Sequence, residues 1–163
     1  MVDSLTYTPK ITVEFEIGEK DFFIAGECAS RVKKTLQQLG LKQEIIKRIA
    51  IIIYEAAMNV AIHATSGKLV VHIDPDGITI LTQDVGAGIE DIDLAMKEGY
   101  STATYEIREM GFGAGMGLSN IKQCSDDLYI ESKVGVGTNL EARVFFNNRK
   151  KTGEDVWNSI FTP

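Results

Sequence analysis

The stretch IIKRIAIIIYEAAMNVAIHAT, residues 45–65, decides how the rest of the chain folds. Ile45, Ile49, Ile52, Ile53, Ala56 and Val60 recur at helical spacing, so residues 42–65 read as one helix, apolar around most of its surface and closing near Gly67. Its longest apolar run, residues 49–64, falls short of the roughly 20 residues of a membrane span and carries Glu55, Asn59 and His63. The helix therefore belongs to a protein core. Four residues advance about 400° around a helix, so those three polar groups at i, i+4 and i+8 form one slowly turning stripe. An ionised glutamate on such a helix is costly unless it is paired or faces a solvated cleft. Glu55 could orient or deprotonate a nucleophile while the Asn59 side-chain oxygen binds a hard cation such as Mg²⁺. Alternatively, the stripe is a buried polar network or the solvent edge of an amphipathic helix. His63 is expected to pack rather than react.

On the N-terminal side, Ile11, Val13, Phe15 and Ile17 alternate with polar residues, the period of a half-buried strand. A second helix is expected over residues 21–39, stopped by Gly40. On the C-terminal side, strands at residues 69–73 and 78–83 flank Asp74-Pro75-Asp76-Gly77, which is turn chemistry and predicts a hairpin. Residues 84–117 then hold seven glycines around one short helical stretch at 90–97, a composition that calls for a functional explanation. A helix at 118–124, a strand at 128–132, a glycine turn at 134–137 and a strand at 138–146 complete the pattern. The order β, α, α, β, β, α, α, β, β predicts an α+β two-layer sandwich, a mixed, mostly antiparallel sheet with helices on one face. One domain is expected over residues 1–146. The tail at 147–163, with Trp157, Ile160 and Phe161, is expected to fray or to dock as a short helix.

Composition narrows the function. A chain of 163 residues, 44% hydrophobic and 25% charged, suits one globular core. A net charge of −6 and a pI near 5.0 exclude a broad basic footprint for nucleic acid or anionic membrane, leaving protein or small-molecule partners. Cys28 and Cys124 lack CxxC or Cys/His spacing, so neither a disulfide framework nor a zinc site is indicated. The N-terminal MVDSLTYTPK has no secretory pattern, which predicts a cytoplasmic location.

Three further segments carry chemistry. In Asp84-Val85-Gly86-Ala87-Gly88-Ile89 the glycines let backbone approach a ligand and the carboxylate can accept from an amino group, although a plain strand-end turn has the same composition. Gly111-Phe112-Gly113-Ala114-Gly115-Met116-Gly117-Leu118 runs into a helix whose N-terminal N–H groups can bind phosphate oxygens; a flexible hinge is the alternative. It is neither a Walker motif nor a dinucleotide fingerprint, because GxxxxGK[ST] lacks its lysine and hydroxyl here. Gly135-Val136-Gly137-Thr138 by itself is a hairpin signal.

In this order the four pieces resemble the N, G1 and G2 boxes and the closing threonine of the GHKL nucleotide-binding family, whose members share the Bergerat fold. The resemblance spans about residues 45–146 and implies ATP or ADP as ligand with Mg²⁺. Residue by residue, it implies Glu55 as general base, Asn59 as the Mg²⁺ ligand and Asp84 as the contact to the adenine amino group. Gly86, Gly88, Gly113, Gly115, Gly117 and Leu118 fall at nucleotide-binding positions, and Thr138 at the threonine that helps hold adenine through water. Residues 99–117 would be a lid closing over the triphosphate. Residues 88–103 together with GMGLSNIKQCSDDLYIESKVGVGT look most like the anti-sigma-factor and stressosome switch-protein kinases. That likeness implies phosphorylation of a serine or threonine on a STAS-domain anti-anti-sigma or stressosome-type partner, with a sigma factor or phosphatase regulator as other partners and a homodimer as an option. It departs from the switch kinases in a longer glycine-rich box and in Gly117-Leu118-Ser119, which is closer to histidine-kinase wording. A nucleotide-gated binding switch without turnover, or an ATPase module of a histidine-kinase-like assembly, remain the alternatives.

Overall fold

The computed structural model describes residues 10–147, so the expected docking of Trp157, Ile160 and Phe161 lies outside the described residues. Five strands form one sheet in the order β1-β2-β3-β5-β4: β1 (Ile11–Gly18), β2 (Ala64–Ile73), β3 (Gly77–Gly86), β4 (Asp127–Lys133) and β5 (Gly137–Phe145). Every pairing is antiparallel, which sharpens the expected mixed sheet to a purely antiparallel one among the described strands. Helices α1 (Phe22–Gln38), α2 (Gln43–His63) and α5 (Gly117–Cys124) form the second layer, with short α3 (Ile92–Ala95) and α4 (Tyr105–Glu109) between β3 and α5.

α2 is apolar nearly all round because it is covered on several sides. It packs on β1, β2, β3 and β5 below and lies between α1 and α5. Ile46, Ile49, Ile52, Ile53, Ala57 and Ala61 are each at most 1% exposed, and they meet Leu69, Val71, Ile80, Leu140, Ala142 and Val144 from the sheet. Period-2 alternation gives the strands their covered side: Phe15 and Ile17 in β1, Ile78, Ile80 and Thr82 in β3. Gly40 ends α1 as expected, with φ at 74° and its N–H donating to the Gln37 carbonyl.

Two boundaries and one short helix differ from the sequence expectation. α2 ends at His63 and β2 begins at the next residue, so Gly67 is a strand residue and not a helix stop. A side chain at Gly67 would lie 2.6 Å from Val60 Cγ1 and 2.9 Å from the Gln83 carbonyl oxygen. The glycine therefore lets α2 and β3 close on β2. β3 continues through Gly86, which keeps Asp84 inside a strand. Within residues 84–117, α4 was not expected; Thr104 caps it by accepting from the Ile107 N–H at 3.4 Å. A lone Thr-x-x-Ile amid glycines carries too little periodicity to announce a helix of five residues.

Candidate nucleotide site

Between α2, the covered end of β3 and the segment from α3 to the start of α5 lies a cleft of about 1120 Å³. Glu55, Asn59, Asp84, Gly88, Gly113, Gly115, Gly117, Leu118 and Thr138 all line it. Gly86 alone among the expected positions does not. The polar stripe of α2 thus lines a cleft and is not the outer solvent edge of the helix. His63, at the last turn of α2, also lines the cleft but is exposed, where packing had been expected.

At one end of the cleft stands Asp84. Alternation along β3 puts residues 78, 80, 82 and 84 on the covered side, and antiparallel pairing of Gln83 with Asn139 brings Thr138 alongside. The Thr138 N–H donates to Asp84 Oδ1 at 3.1 Å. Ser132 completes the arrangement: its Oγ lies 2.7 Å from Thr138 Oγ1, donates to the Gly137 carbonyl at 3.1 Å, and accepts from the Ile89 N–H at 2.7 Å. Burial pushes the Asp84 carboxyl above its ordinary value, and the Thr138 N–H draws it part of the way back.

The glycines here serve the protein's own backbone. A side chain at Gly86 would come within 2.8 Å of the His63 carbonyl oxygen, and one at Gly88 would collide with the Lys133 carbonyl. The Gly86 N–H donates to Val136 at 3.1 Å and the Gly135 N–H to Ala87 at 2.8 Å. These contacts lay the β4–β5 turn against residues 86–88, so both glycines hold Thr138 over Asp84. Gly137, buried and at φ 152°, is the tightest point, since a Cβ there would overlap the Asp84 carbonyl oxygen.

At the other end, Glu55 and Asn59 meet the first turn of α5. The position a Cβ would take on Gly117 is 3.2 Å from both Glu55 Oε2 and Asn59 Oδ1. No side chain caps α5 at its N-cap, Met116, so the first-turn N–H groups are left to a ligand or to water. Asn120, one turn further along, donates from Nδ2 to Glu55 Oε1 at 3.0 Å. The loop before α5 is tied back on itself. The Gly99 N–H donates to Gly115 at 2.9 Å, Arg108 Nη2 to the Ser101 carbonyl at 2.6 Å, and Phe112 stacks on Phe22 of α1 with ring centroids 4.8 Å apart.

Sequence reasoning missed Ser132, Asn120 and the role of Gly137. Ser132 continues the inward series Leu128, Ile130, so its direction was readable from strand alternation. Asn120 sits three residues after Gly117 on the same face of a helix, a spacing that was equally available. Its partner Glu55, 65 positions away, was not. Among the described residues no group of three or more His, Cys, Asp or Glu could hold a metal on its own, and both cysteines are free thiols. Burial pushes the Cys28 thiol up to about 12, far from a reactive thiolate. No described helix is long and apolar enough to cross a membrane.

Comparison with known proteins places the chain. The chain is 30% identical over 128 residues to the serine/threonine-protein kinase RsbT of Bacillus subtilis (strain 168), covering 76% of this chain and 88% of that protein. It is 33% identical over 118 residues to the anti-sigma F factor of Thermoanaerobacter sp. (strain X514), covering 69% and 79%, and 36% identical over 106 residues to the anti-sigma F factor of Caldanaerobacter subterraneus subsp. tengcongensis, covering 62% and 71%. A chain in the crystal structure of the SiaB-SiaC complex from Pseudomonas aeruginosa shares the fold, with a TM-score of 0.57 at 13% identity over 81% of this chain and 88% of that one. The family profile for histidine kinase-, DNA gyrase B- and HSP90-like ATPases matches residues 44–148, from the start of α2 past the end of β5. The chain belongs to that family of nucleotide-binding ATPases.

Proposed function

We propose that this chain is a protein serine/threonine kinase that binds ATP in the α2–β3–α5 cleft and phosphorylates a hydroxyl on a STAS-domain regulatory partner. The observation that carries the proposal is the meeting of Glu55 and Asn59 with the uncapped first turn of α5 at one end of a cleft whose other end holds Asp84. The likeness to RsbT supports a kinase activity, and the anti-sigma F factors support a regulatory partner.

Each residue then has a physical task. Asp84, a carboxylate acceptor fixed by Thr138, suits the adenine amino group. The α5 N–H groups suit phosphate oxygens. Asn59 offers a neutral oxygen beside them, which fits a cation held chiefly by phosphates, as Mg²⁺ usually is. Mg²⁺ bound there would supply charge neutralisation at the transferring phosphoryl group. Glu55 Oε2 faces that same point. As the partner's hydroxyl oxygen bonds to the γ-phosphorus and the bond to the ADP oxygen breaks, Glu55 takes the hydroxyl proton.

The test incubates the chain with γ-labelled ATP, Mg²⁺ and a STAS-domain protein from the same organism. Label on a serine or threonine of that protein is the expected result. Binding of the partner that depends on nucleotide but leaves no label would instead favour a switch without turnover.

A further inference from the structure

We propose that Asn120 is the positioning residue for Glu55, holding one carboxylate oxygen so that the other is presented to the reacting hydroxyl. The proposal rests on the kinase reading of Glu55. Its ground is the 3.0 Å hydrogen bond from Asn120 Nδ2 to Glu55 Oε1, part-buried between two helices that pack together. Only the amide nitrogen can face a carboxylate in this way, so the donor is fixed by chemistry. With Oε1 engaged, Oε2 is the oxygen left toward Gly117, at the first turn of α5 where phosphate would sit.

Two consequences follow from geometry. A glutamate side chain has three rotatable bonds, and a single charge-assisted hydrogen bond at its tip removes most of that freedom. Moreover, Asn120 and Gly117 lie three residues apart on the same short helix, so the group that orients the base and the backbone that would meet phosphate move together.

The experiment measures label transfer and equilibrium ATP affinity on the full chain for Asn120→Leu, Asn120→Ala, Glu55→Gln and the double variant Glu55→Gln/Asn120→Leu. Leucine keeps the size and removes the donor; alanine is a second, uncharged loss of the donor should leucine disturb folding. A misdirected base is expected to lower kcat by about 10- to 100-fold, with KM for ATP and ATP affinity within about twofold of the unaltered chain. In the Glu55→Gln background, Asn120→Leu is expected to cause no further loss, because the group through which it acts is already gone. The proposal is overturned if both Asn120 variants transfer at the original rate, if ATP affinity falls in step with transfer, or if the Asn120→Leu loss recurs in full in the double variant. Undiminished transfer by Glu55→Gln alone overturns the base assignment itself, and that arm is read independently of Asn120.

Discussion

At the β3–β5 end of the cleft, Asp84 is held by a sheet. Strand pairing sets its direction, Thr138 and Ser132 fix its surroundings, and Gly137 closes on its backbone. At the α5 end, Glu55 is held by one side chain from a helix of eight residues, and the loop leading to it, residues 99–117, rests on a few hydrogen bonds and the Phe22–Phe112 stack. Tyr100, Tyr105, Met110 and Met116 of that loop are exposed. On the proposed reading, the difference separates two demands on one site. A base-recognition contact gains from being built before the ligand arrives, whereas a phosphate-handling segment must admit and release its ligand.

This contrast is sharpest in the glycines. Gly137→Ala should force a side chain into the Asp84 carbonyl at a backbone angle L-residues avoid, costing about 3 kcal/mol or more and lowering the melting temperature by roughly 10 °C. Gly111 also has positive φ, at 88°, but nothing lies within 4 Å of its would-be side chain. Gly111→Ala should cost only the left-handed backbone penalty of about 1–2 kcal/mol. Equal losses from the two substitutions, by thermal unfolding, would erase the distinction between a packed end and an open one.

Asp84 offers a test of the same end by charge. Its folded-state value is raised above the unfolded one, so protonation of Asp84 favours the folded chain at low pH, and that contribution disappears as pH rises through the raised value. At neutral pH the ionised carboxylate is therefore a cost to the unliganded fold. Asp84→Asn should leave the unliganded protein at least as stable at pH 7, since the Asn oxygen can still accept from Thr138, yet weaken adenine nucleotide binding by about 10- to 100-fold. In the unaltered chain, affinity should fall as pH drops toward the raised Asp84 value, and calorimetry on Asp84→Asn should find that dependence gone. Unchanged affinity would remove Asp84 from the adenine site.

The smallest effect is expected at the loop. Phe112→Ala removes a stacked pair contributing about 0.5–1.5 kcal/mol beyond its burial, so amide exchange should speed up most across residues 99–117, with a fall of about 3–6 °C in the melting temperature. Faster exchange spread evenly over the sheet would show that the loop is part of the core after all.

Much of this was legible in the sequence because motif residues at both ends must carry their own chemistry. Glu55 and Asn59 betray themselves as polar groups on an apolar helix, and Asp84 as a carboxylate beside glycines. What was not legible depends on which strands and helices become neighbours. Gly86 looks like a ligand-facing glycine until the β4–β5 turn is laid across it, and Gly88 both lines the cleft and carries that turn. Gly67 looks like a helix stop until β2 is seen to start immediately after His63. Asn120 has no partner in its own segment, and only the packing of α5 on α2 supplies one.

The central claim is that Glu55 acts on chemistry and not on folding, and one near-isosteric substitution separates the two. With ATP, Mg²⁺ and the unphosphorylated partner in hand, Glu55→Gln should keep its melting temperature and bind ATP with nearly unchanged affinity, while label transfer falls by about 10²- to 10⁴-fold. A variant that unfolds, or that transfers phosphate at the original rate, would contradict the account and return Glu55 to the structural carboxylates of the α2–α5 interface.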